Sequence, residues 1–350
     1  MGSDEVRVAV LGASGYAGGE LVRLLESHPA AVTFLGAKDS VGATLTEAHP
    51  HLAATSVAGL VLRDVEPDAI ASAADLVFSS LPHGASAALA PTLLERGLRV
   101  IDLAGDFRLG PDDYPEWYGF EHPSPGWQGK AVYGLPELFG EQVAGANLVA
   151  NPGCYPTPVI LGLAPLLRQG LIEPAPVFVD GKTGVSGAGK RPAEATSFAA
   201  SEGSVRPYRA PNHQHTPEME RGLELATGLA VLVSFVPHLV PSVRGVLTTC
   251  YARLAPGVTT DALTECLLAT YANRPFVRVV PQGEMADSKR VKGTNVVELQ
   301  AFADTRTDTA VVVGVVDNLV KGAAGQAVQN MNLLLGLAED TALPTVAVYP

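Results

Sequence analysis

The sequence predicts an α/β fold in two parts: a doubly wound parallel sheet, then a second α+β domain with a mixed, largely antiparallel sheet. Three observations lead there. Short apolar runs alternate with helical patterns up to about residue 150, the mark of βαβ units. A glycine-spaced turn joins the first such run to the helix after it. Beyond that point, β-rich runs succeed one another across long loops, which suits antiparallel pairing.

The elements follow in order. Residues 6–11 are an apolar run fitting a buried strand, and a helix covers 20–26. Strands are expected at 32–37, 75–81 and 99–103. A helix at 91–96 begins with Pro91 near its first turn. An apolar helical run spans 159–167. The second domain then offers strands at 177–180, 231–236, 245–254, 276–280, 295–303 and 309–316, with a helix at 260–271. The last helix, 322–338, places Val328, Met331, Leu334, Leu335 and Ala338 on one apolar face. The expected domains are 1–150, 151–316 and a C-terminal segment, 317–350, returning to the first. No internal repeat or low-complexity segment is found.

Composition narrows the function. The chain has 350 residues, 47% of them hydrophobic and only 17% charged, so it can build two cores and is not a disordered or coiled-coil protein. A net charge of -12 argues against a nucleic-acid partner, which needs a basic face. Three widely spaced cysteines argue against a disulfide framework and against a cysteine-based zinc site. Of these, Cys250 in a strand and Cys266 in a helix are read as packing residues. The opening Met-Gly-Ser-Asp-Glu has no signal-peptide pattern. The uncharged stretch 225–243 is broken by Pro237 and Pro241 and reads as strand plus turn, not a membrane span. A reducing cytoplasmic location fits.

Gly12, Gly15 and Gly18 lie between a predicted strand and a predicted helix. Glycine lets the backbone turn tightly and approach a pyrophosphate, which the helix N-terminus attracts. This is a Rossmann-type dinucleotide loop, with Ser14 and Tyr16 in it. The spacing is GxxGxxG, so the triplet gains its meaning from the strand–turn–helix context. After the second strand comes Lys38-Asp39-Ser40. Lys38 and Ser40 suit a 2′-phosphate and Asp39 opposes one, so these residues leave NAD and NADP both open.

Asn151-Pro-Gly-Cys154-Tyr-Pro-Thr157 presents a cysteine on a bent turn directly before a helical run. Helix N-termini favour the thiolate, which is the nucleophile. Cys154 is therefore the candidate nucleophile, against a buried structural cysteine. His213 and His215 flank Gln214 in a polar loop; acid/base chemistry, a solvated loop and a metal pair are the readings, the first favoured. Arg108 follows Asp106 at a strand's end and can bind an anion or pair with Asp102 or Asp106. Ser186 and Gly187 lie in a glycine-rich loop able to nest an anion or to be a hairpin tip. Arg209 is a second candidate for a substrate carboxylate, and Arg244 a weaker one.

Taken together, these motifs resemble the N-acetyl-γ-glutamyl-phosphate reductase family, essentially end to end. The resemblance runs through Gly12–Gly18, Ser80-Leu-Pro-His-Gly84, Asp102-Leu-Ala-Gly-Asp-Phe-Arg108, Tyr133-Gly-Leu-Pro-Glu137 and the cysteine turn. It continues through Lys182-Thr-Gly-Val-Ser-Gly-Ala-Gly189, His213-Gln-His-Thr-Pro-Glu218 and Asp317-Asn-Leu-Val-Lys-Gly-Ala-Ala-Gly-Gln326. Gly105 stands where the family's serine is expected. The resemblance implies NADP(H) as cofactor and the fold of aspartate-semialdehyde and glyceraldehyde-phosphate dehydrogenases. It implies cofactor contacts from Gly12, Ser14, Gly15, Tyr16, Gly18, Lys38, Ser40, Ser80, Pro82, Ser186 and Gly187. Asn318 would meet the nicotinamide carboxamide; a plain helix N-cap is the rival reading. Substrate contacts would come from Arg108, Asn151 and Arg209.

The implied reaction reduces N-acetyl-L-glutamyl 5-phosphate to the semialdehyde through a thioester on Cys154, in arginine biosynthesis. Covalent catalysis divides one hard step into two. A homodimer or homotetramer is expected from the fold. Other readings are a sister reductase of a carrier-bound aminoadipyl phosphate, aspartate-semialdehyde dehydrogenase, and a non-catalytic dinucleotide sensor. The sequence argues against short-chain dehydrogenase chemistry, since no tyrosine is followed four residues later by lysine.

Overall fold

The computed structural model describes residues 6–349; positions 1–5, where no leader pattern is read, and position 350 lie outside the described residues. The chain forms two compact units. One comprises the residues through Pro152 with Ala323–Leu343, the other Gly153–Gly322 with the residues from Pro344 onward.

The first unit is built on six parallel strands: β1 (Arg7–Leu11), β2 (Ala31–Gly36), β3 (Leu76–Ser79), β4 (Arg99–Asp102), β5 (Val132–Tyr133) and β6 (Leu148–Ala150). Their order is β2-β1-β3-β4-β6-β5, so the chain reverses direction across the sheet after β2. Helices cover both faces, which explains why Val8, Ala9, Val10 and Leu11 are all buried with no polar alternation. Ala9 and Leu11 join Phe34, Ile70, Val77, Ala87, Leu93 and Val100 in one core. Burying each of the larger side chains here, Leu, Ile, Val or Phe, stabilises the fold by about 1.5–3 kcal/mol relative to exposure.

The second unit carries β7 (Val177–Thr183), β8 (Arg206–Pro207), β9 (Val233–Leu239), β10 (Val246–Arg253), β11 (Val277–Val279), β12 (Val297–Asp304) and β13 (Thr309–Val316). Their order is β11-β12-β13-β10-β7-β9-β8. The pairs are antiparallel except β11 with β12 and β7 with β9. Val179, Cys250, Val312 and Ala301 align in register as one buried row. The helix Pro156–Arg168 packs here by bringing the bare Cα of Gly162 against Val312: a Cβ at Gly162 would lie 2.9 Å from Val312 Cγ1. Burial pushes the Cys250 thiol up to about 12, as befits a packing residue. Cys266 on the helix Thr260–Tyr271 is half-buried, its thiol also raised by burial.

Two sequence expectations need correction. The helix between β3 and β4 spans Ala85–Glu95, with Pro91 in its interior and not at its start. A proline removes one donor from the helical ladder and orphans the carbonyl four residues back. That carbonyl, of Ala87, instead accepts from Ser124 Oγ at 2.8 Å. The same device recurs at Pro165 within Pro156–Arg168, where the Leu161 carbonyl accepts from the Tyr271 hydroxyl at 2.6 Å.

The last helix is Gly325–Leu334, preceded by a π-turn at Val320–Ala324. It is not amphipathic. Gln326, Gln329, Asn330 and Asn332 are as buried as its apolar residues, and each amide nitrogen finds a partner, although the side-chain oxygens of Gln326 and Asn330 accept no hydrogen bond among the described residues. Gln326 and Asn330 donate to the Gly134 carbonyl, Gln329 to Glu137, and Asn332 bonds the His28 ring. Buried polar groups are tolerated when so satisfied. Among the described residues, no helix is long and apolar enough to cross a membrane.

Candidate active site

In the first unit, β1 runs into the glycine turn and the helix Tyr16–Leu25 follows, with Gly15 at its N-cap. Gly12 has φ +78°, and a Cβ there would lie 2.2 Å from the Ser80 carbonyl oxygen. A Cβ on Gly18 would lie 2.4 Å from the Gly12 oxygen. Gly15 is freer: its Cβ would meet only the Gly12 oxygen, at 3.3 Å. The amides of Gly12 and Ala13 both donate to the Gly36 carbonyl, at 2.9 and 3.0 Å, tying the turn to the end of β2. Ser14 and the exposed Tyr16 sit on this turn and helix start. Lys38 and Ser40 follow β2, and Ser80 and Pro82 follow β3. All these positions gather at the carboxyl ends of β1, β2 and β3, where open α/β sheets bind ligands. A bare-backbone turn at a helix N-terminus fits a pyrophosphate. His49, not singled out in the sequence, braces the turn. It is buried, its Nε2 lies 2.9 Å from the Ala13 carbonyl oxygen, and its ring fills the space above Gly19.

At the end of β4 the chain coils around buried carboxylates. Asp102 accepts from the amides of Ala104, Gly105 and Asp106, at 3.1, 3.1 and 2.9 Å. Asp106 accepts from those of Gly84 and Ala87. Burial, reinforced by neighbouring Asp106, raises the Asp102 carboxyl to about 6. Arg108 is buried beside them. Its Nε donates to the Asn151 carbonyl at 2.7 Å and its Nη2 to the Leu103 carbonyl at 3.1 Å. Asn151 is fully buried, its carboxamide donating to the Ala323 carbonyl and accepting from Asn330 at 3.0 Å. Arg108 and Asn151 are thus neighbours, and both contacts pin main chain.

The second unit holds the nucleophile candidate. Cys154 is half-buried, just ahead of Pro156–Arg168. The turn is held from both sides. Thr157 donates its amide and hydroxyl to the Gly153 carbonyl, at 3.2 and 3.0 Å, and the Gly153 amide donates to Glu218 Oε1 at 2.7 Å. The backbone of Gly322 forms the wall behind the cysteine, since a Cβ there would fall 2.8 Å from Cys154 Cβ.

The two histidines converge on the same cluster. His215 begins the helix His215–Thr227 and its amide donates to His213 Nδ1 at 3.1 Å. Their ring centroids are 4.7 Å apart, edge to face. Both rings meet Tyr155 edge-on, at 6.1 and 6.0 Å. Tyr208 stands 5.5 Å from His213 and donates its hydroxyl to that of Tyr155 at 3.4 Å. Burial holds both phenols well above their ordinary range. Burial, with Arg209 adding to it, pushes His213 down to about 4, so its ring is neutral at pH 7. His215 Nε2 is 4.0 Å from Glu218 Oε2. Arg209 is exposed, with φ +48°, and its Nη1 donates to Gln214 at 2.9 Å. Among the described residues no group of three or more His, Cys, Asp or Glu is arranged to hold a metal.

A third group in this unit joins Ser186, Gly187 and Asn318. The Asn318 amide nitrogen donates to Ser186 Oγ at 2.9 Å and its oxygen accepts from the Gly245 amide at 2.8 Å. The last helix is capped at Ala324, so Asn318 is not its N-cap. Tyr155, Tyr208 and Glu218 went unassigned in the sequence. A signal for Glu218 existed: it follows His215 by three residues, one helical turn.

Comparison with known proteins identifies the family. Residues 7–146 match the family model for the semialdehyde dehydrogenase NAD binding domain, and residues 154–318 that for the semialdehyde dehydrogenase dimerisation domain. The N-acetyl-gamma-glutamyl-phosphate reductase of Magnetococcus marinus is 46% identical over 347 residues, covering 99% of each chain. That of Symbiobacterium thermophilum is 47% identical over 349 residues, again covering 99% of each. Among solved structures, aspartate semialdehyde dehydrogenase II of Vibrio cholerae superimposes with a TM-score of 0.74 at 20% identity, over 95% of this chain and 99% of that one. The Candida albicans aspartate semialdehyde dehydrogenase with NADP gives 0.64 at 17% identity, over 97% and 100%. With relatives this similar over almost its whole length, the chain belongs to the N-acetyl-gamma-glutamyl-phosphate reductase family of the semialdehyde dehydrogenases.

Proposed function

We propose that this chain catalyses the NADPH-dependent reduction of N-acetyl-L-glutamyl 5-phosphate to N-acetyl-L-glutamate 5-semialdehyde and phosphate, in L-arginine biosynthesis. The observation that carries the reading is Cys154, half-exposed on a doubly braced turn at a helix start and directly before Tyr155, whose ring meets those of both His213 and His215. An acyl phosphate is already activated. The Cys154 thiolate attacks its carbonyl carbon, the C–O bond to phosphate breaks, and the acyl group is left on sulfur as a thioester. The dihydronicotinamide, when bound, supplies the hydride that reduces this carbonyl. His213 or His215 protonates the oxygen that becomes anionic and takes the proton back as the C–S bond breaks, releasing aldehyde and regenerating thiolate. His213, neutral at pH 7, is suited to the accepting half of that exchange.

Gly12, Ser14, Gly15, Tyr16 and Gly18 would hold the pyrophosphate, Lys38 and Ser40 the ribose 2′-phosphate, and Ser80 and Pro82 the edge of the site. Ser186, Gly187 and Asn318 form the proposed carboxamide contact. Arg209 is the proposed partner of the substrate carboxylate; Arg108 and Asn151 border the substrate through the main chain they fix. The chemistry belongs in a reducing cytoplasm, where Cys154 stays a thiol. Self-association through the second unit, as a dimer or tetramer, completes the reading.

The test offers purified protein each acyl phosphate in turn (N-acetylglutamyl, aspartyl and carrier-bound aminoadipyl) and follows NADPH absorbance. The N-acetylglutamyl compound is expected to be turned over preferentially. Cys154→Ser should fold and bind NADPH yet lose turnover by a factor of roughly 10³ or more, as loss of a covalent nucleophile does. Wild-type turnover in that variant would end the proposal.

A further inference from the structure

Ala13 is buried within the glycine turn, and its carbonyl is met by a side chain from beyond β2. His49 follows the short helix Leu45–Ala48, which a capping box between Thr44 and Glu47 holds at its start. Leu45 and Leu52 are buried on either side of the histidine. The His49 amide donates to the Leu45 carbonyl at 2.7 Å, and the His49 carbonyl accepts from the Leu52 amide at 2.9 Å. The backbone that carries the ring is thus fixed, and the residue is only 4% exposed. Its Nε2 lies 2.9 Å from the Ala13 carbonyl oxygen. A carbonyl only accepts, so Nε2 carries the proton. On its other side the ring occupies the place of a side chain: a Cβ at Gly19 would fall 2.6 Å from His49 Cε1. Glycine inside a helix is destabilising relative to alanine, and the ring accounts for it here. An aliphatic side chain would fill that space without desolvating an imidazole. The bond to Ala13 is what the histidine adds.

A trans peptide is planar, and its C=O and N–H point opposite ways. Holding the Ala13 carbonyl against the ring therefore aims the Ser14 amide away from it. The Ala13 amide is tied separately to the Gly36 carbonyl at 3.0 Å, so the residue is fixed on both sides. We propose that His49 is a positioning residue for the dinucleotide: it sets the Ala13–Ser14 peptide so that an N–H, and not a carbonyl, faces the pyrophosphate. This rests on the reading of the glycine turn as the pyrophosphate site. Without the ring, the peptide is free to turn over and present its oxygen to an anion, which reverses the attraction a helix N-terminus supplies. His49 acts from behind the turn and makes no contact with the phosphates.

Fluorescence titration with NADPH and with NADH tests this. His49→Ala is expected to weaken both by about 10-fold or more, as leaving a buried carbonyl unpaired does, because both carry the pyrophosphate. His49→Gln keeps a side-chain N–H for Ala13 and should recover most of that loss. Gly19→Ala displaces the ring and should weaken binding as His49→Ala does. Added to His49→Ala it should cost nothing further, the mark of two residues acting through one contact. In cofactor-free protein, His49→Ala should also lower hydrogen-exchange protection at the Ala13 amide. If His49→Ala does not fold, Gly19→Ala decides by its affinity and its exchange at Ala13. Wild-type affinity in His49→Ala, or additive losses in the double variant, would overturn the proposal. So would a loss confined to NADPH, which would mark a direct contact with the 2′-phosphate. Should the wild type bind neither dinucleotide, the reading of the turn fails first; exchange at Ala13, which needs no cofactor, then judges the peptide contact by itself.

Discussion

Cys154 and its neighbours show how far single residues carry the chemistry. The turn was legible because proline and glycine around a cysteine, ahead of an apolar run, leave few places for the sulfur to go. Its company was less so. His213 and His215 stood out as two rings in a polar loop, but His213 is buried, since Tyr155, Tyr208 and Phe235 enclose it. No local pattern reveals such long-range enclosure. The burial has a measurable consequence. The folded-state value of His213, about 4, lies below its ordinary 6.5, so the unfolded chain binds the proton more readily. The stability this ring protects is full above pH 6.5 and is lost as pH falls towards 4, by up to roughly 3 kcal/mol. Urea unfolding of wild type and His213→Asn at pH 7.5 and 4.5 should show a steeper acid loss in the wild type; parallel losses would contradict it.

At the scale of elements, the glycine loop was read from its spacing within a strand–turn–helix context, and its three glycines prove unequal. Gly12 needs a left-handed backbone and Gly18 a bare Cα against the main chain, whereas Gly15 has extended φ and ψ and a Cβ there would crowd only the Gly12 oxygen, by a few tenths of an ångström. Gly18→Ala should therefore weaken NADPH binding by about 10-fold or more, equivalent to about 1.4 kcal/mol. Gly15→Ala should weaken it less unless the pyrophosphate itself occupies that space. Fluorescence titration of each variant with NADPH checks the order. Helix positions were less accessible than strands. The helix Ala85–Glu95 was expected to start at Pro91 because an interior proline is normally excluded. The rule was overridden by a hydroxyl from elsewhere in the chain, which sequence periodicity does not record. The polar residues of Gly325–Leu334 likewise find partners 192 or more residues away at Gly134 and Glu137.

At the scale of the whole molecule, the parallel sheet and the mixed sheet were both foreseen, because strand–helix alternation and its loss near residue 150 are global features. What alternation also says, once registers are known, is which residues the second sheet leaves uncovered. Phe178, Tyr251, Val311 and Phe302 align across β7, β10, β13 and β12. They lie opposite the buried row of Val179, Cys250, Val312 and Ala301. Phe178 is 52% exposed and Tyr251 39% exposed. A contiguous apolar row on an open sheet face suits association with another protein surface, and a second copy is the occupant proposed here. Phe178→Asp with Tyr251→Asp should lower the mass measured by light scattering at micromolar concentration, while near-ultraviolet circular dichroism stays native. An unchanged mass would place the contact elsewhere.

The interior prolines carry one more implication. By giving up a rung of its own ladder at Leu161, the helix behind Cys154 takes Tyr271 as a key in a slot. It cannot slide or rotate about its axis without first withdrawing that hydroxyl. The mount of the proposed nucleophile is thus held from a position 117 residues downstream in the chain, and drift in the cysteine turn would begin with release of that contact.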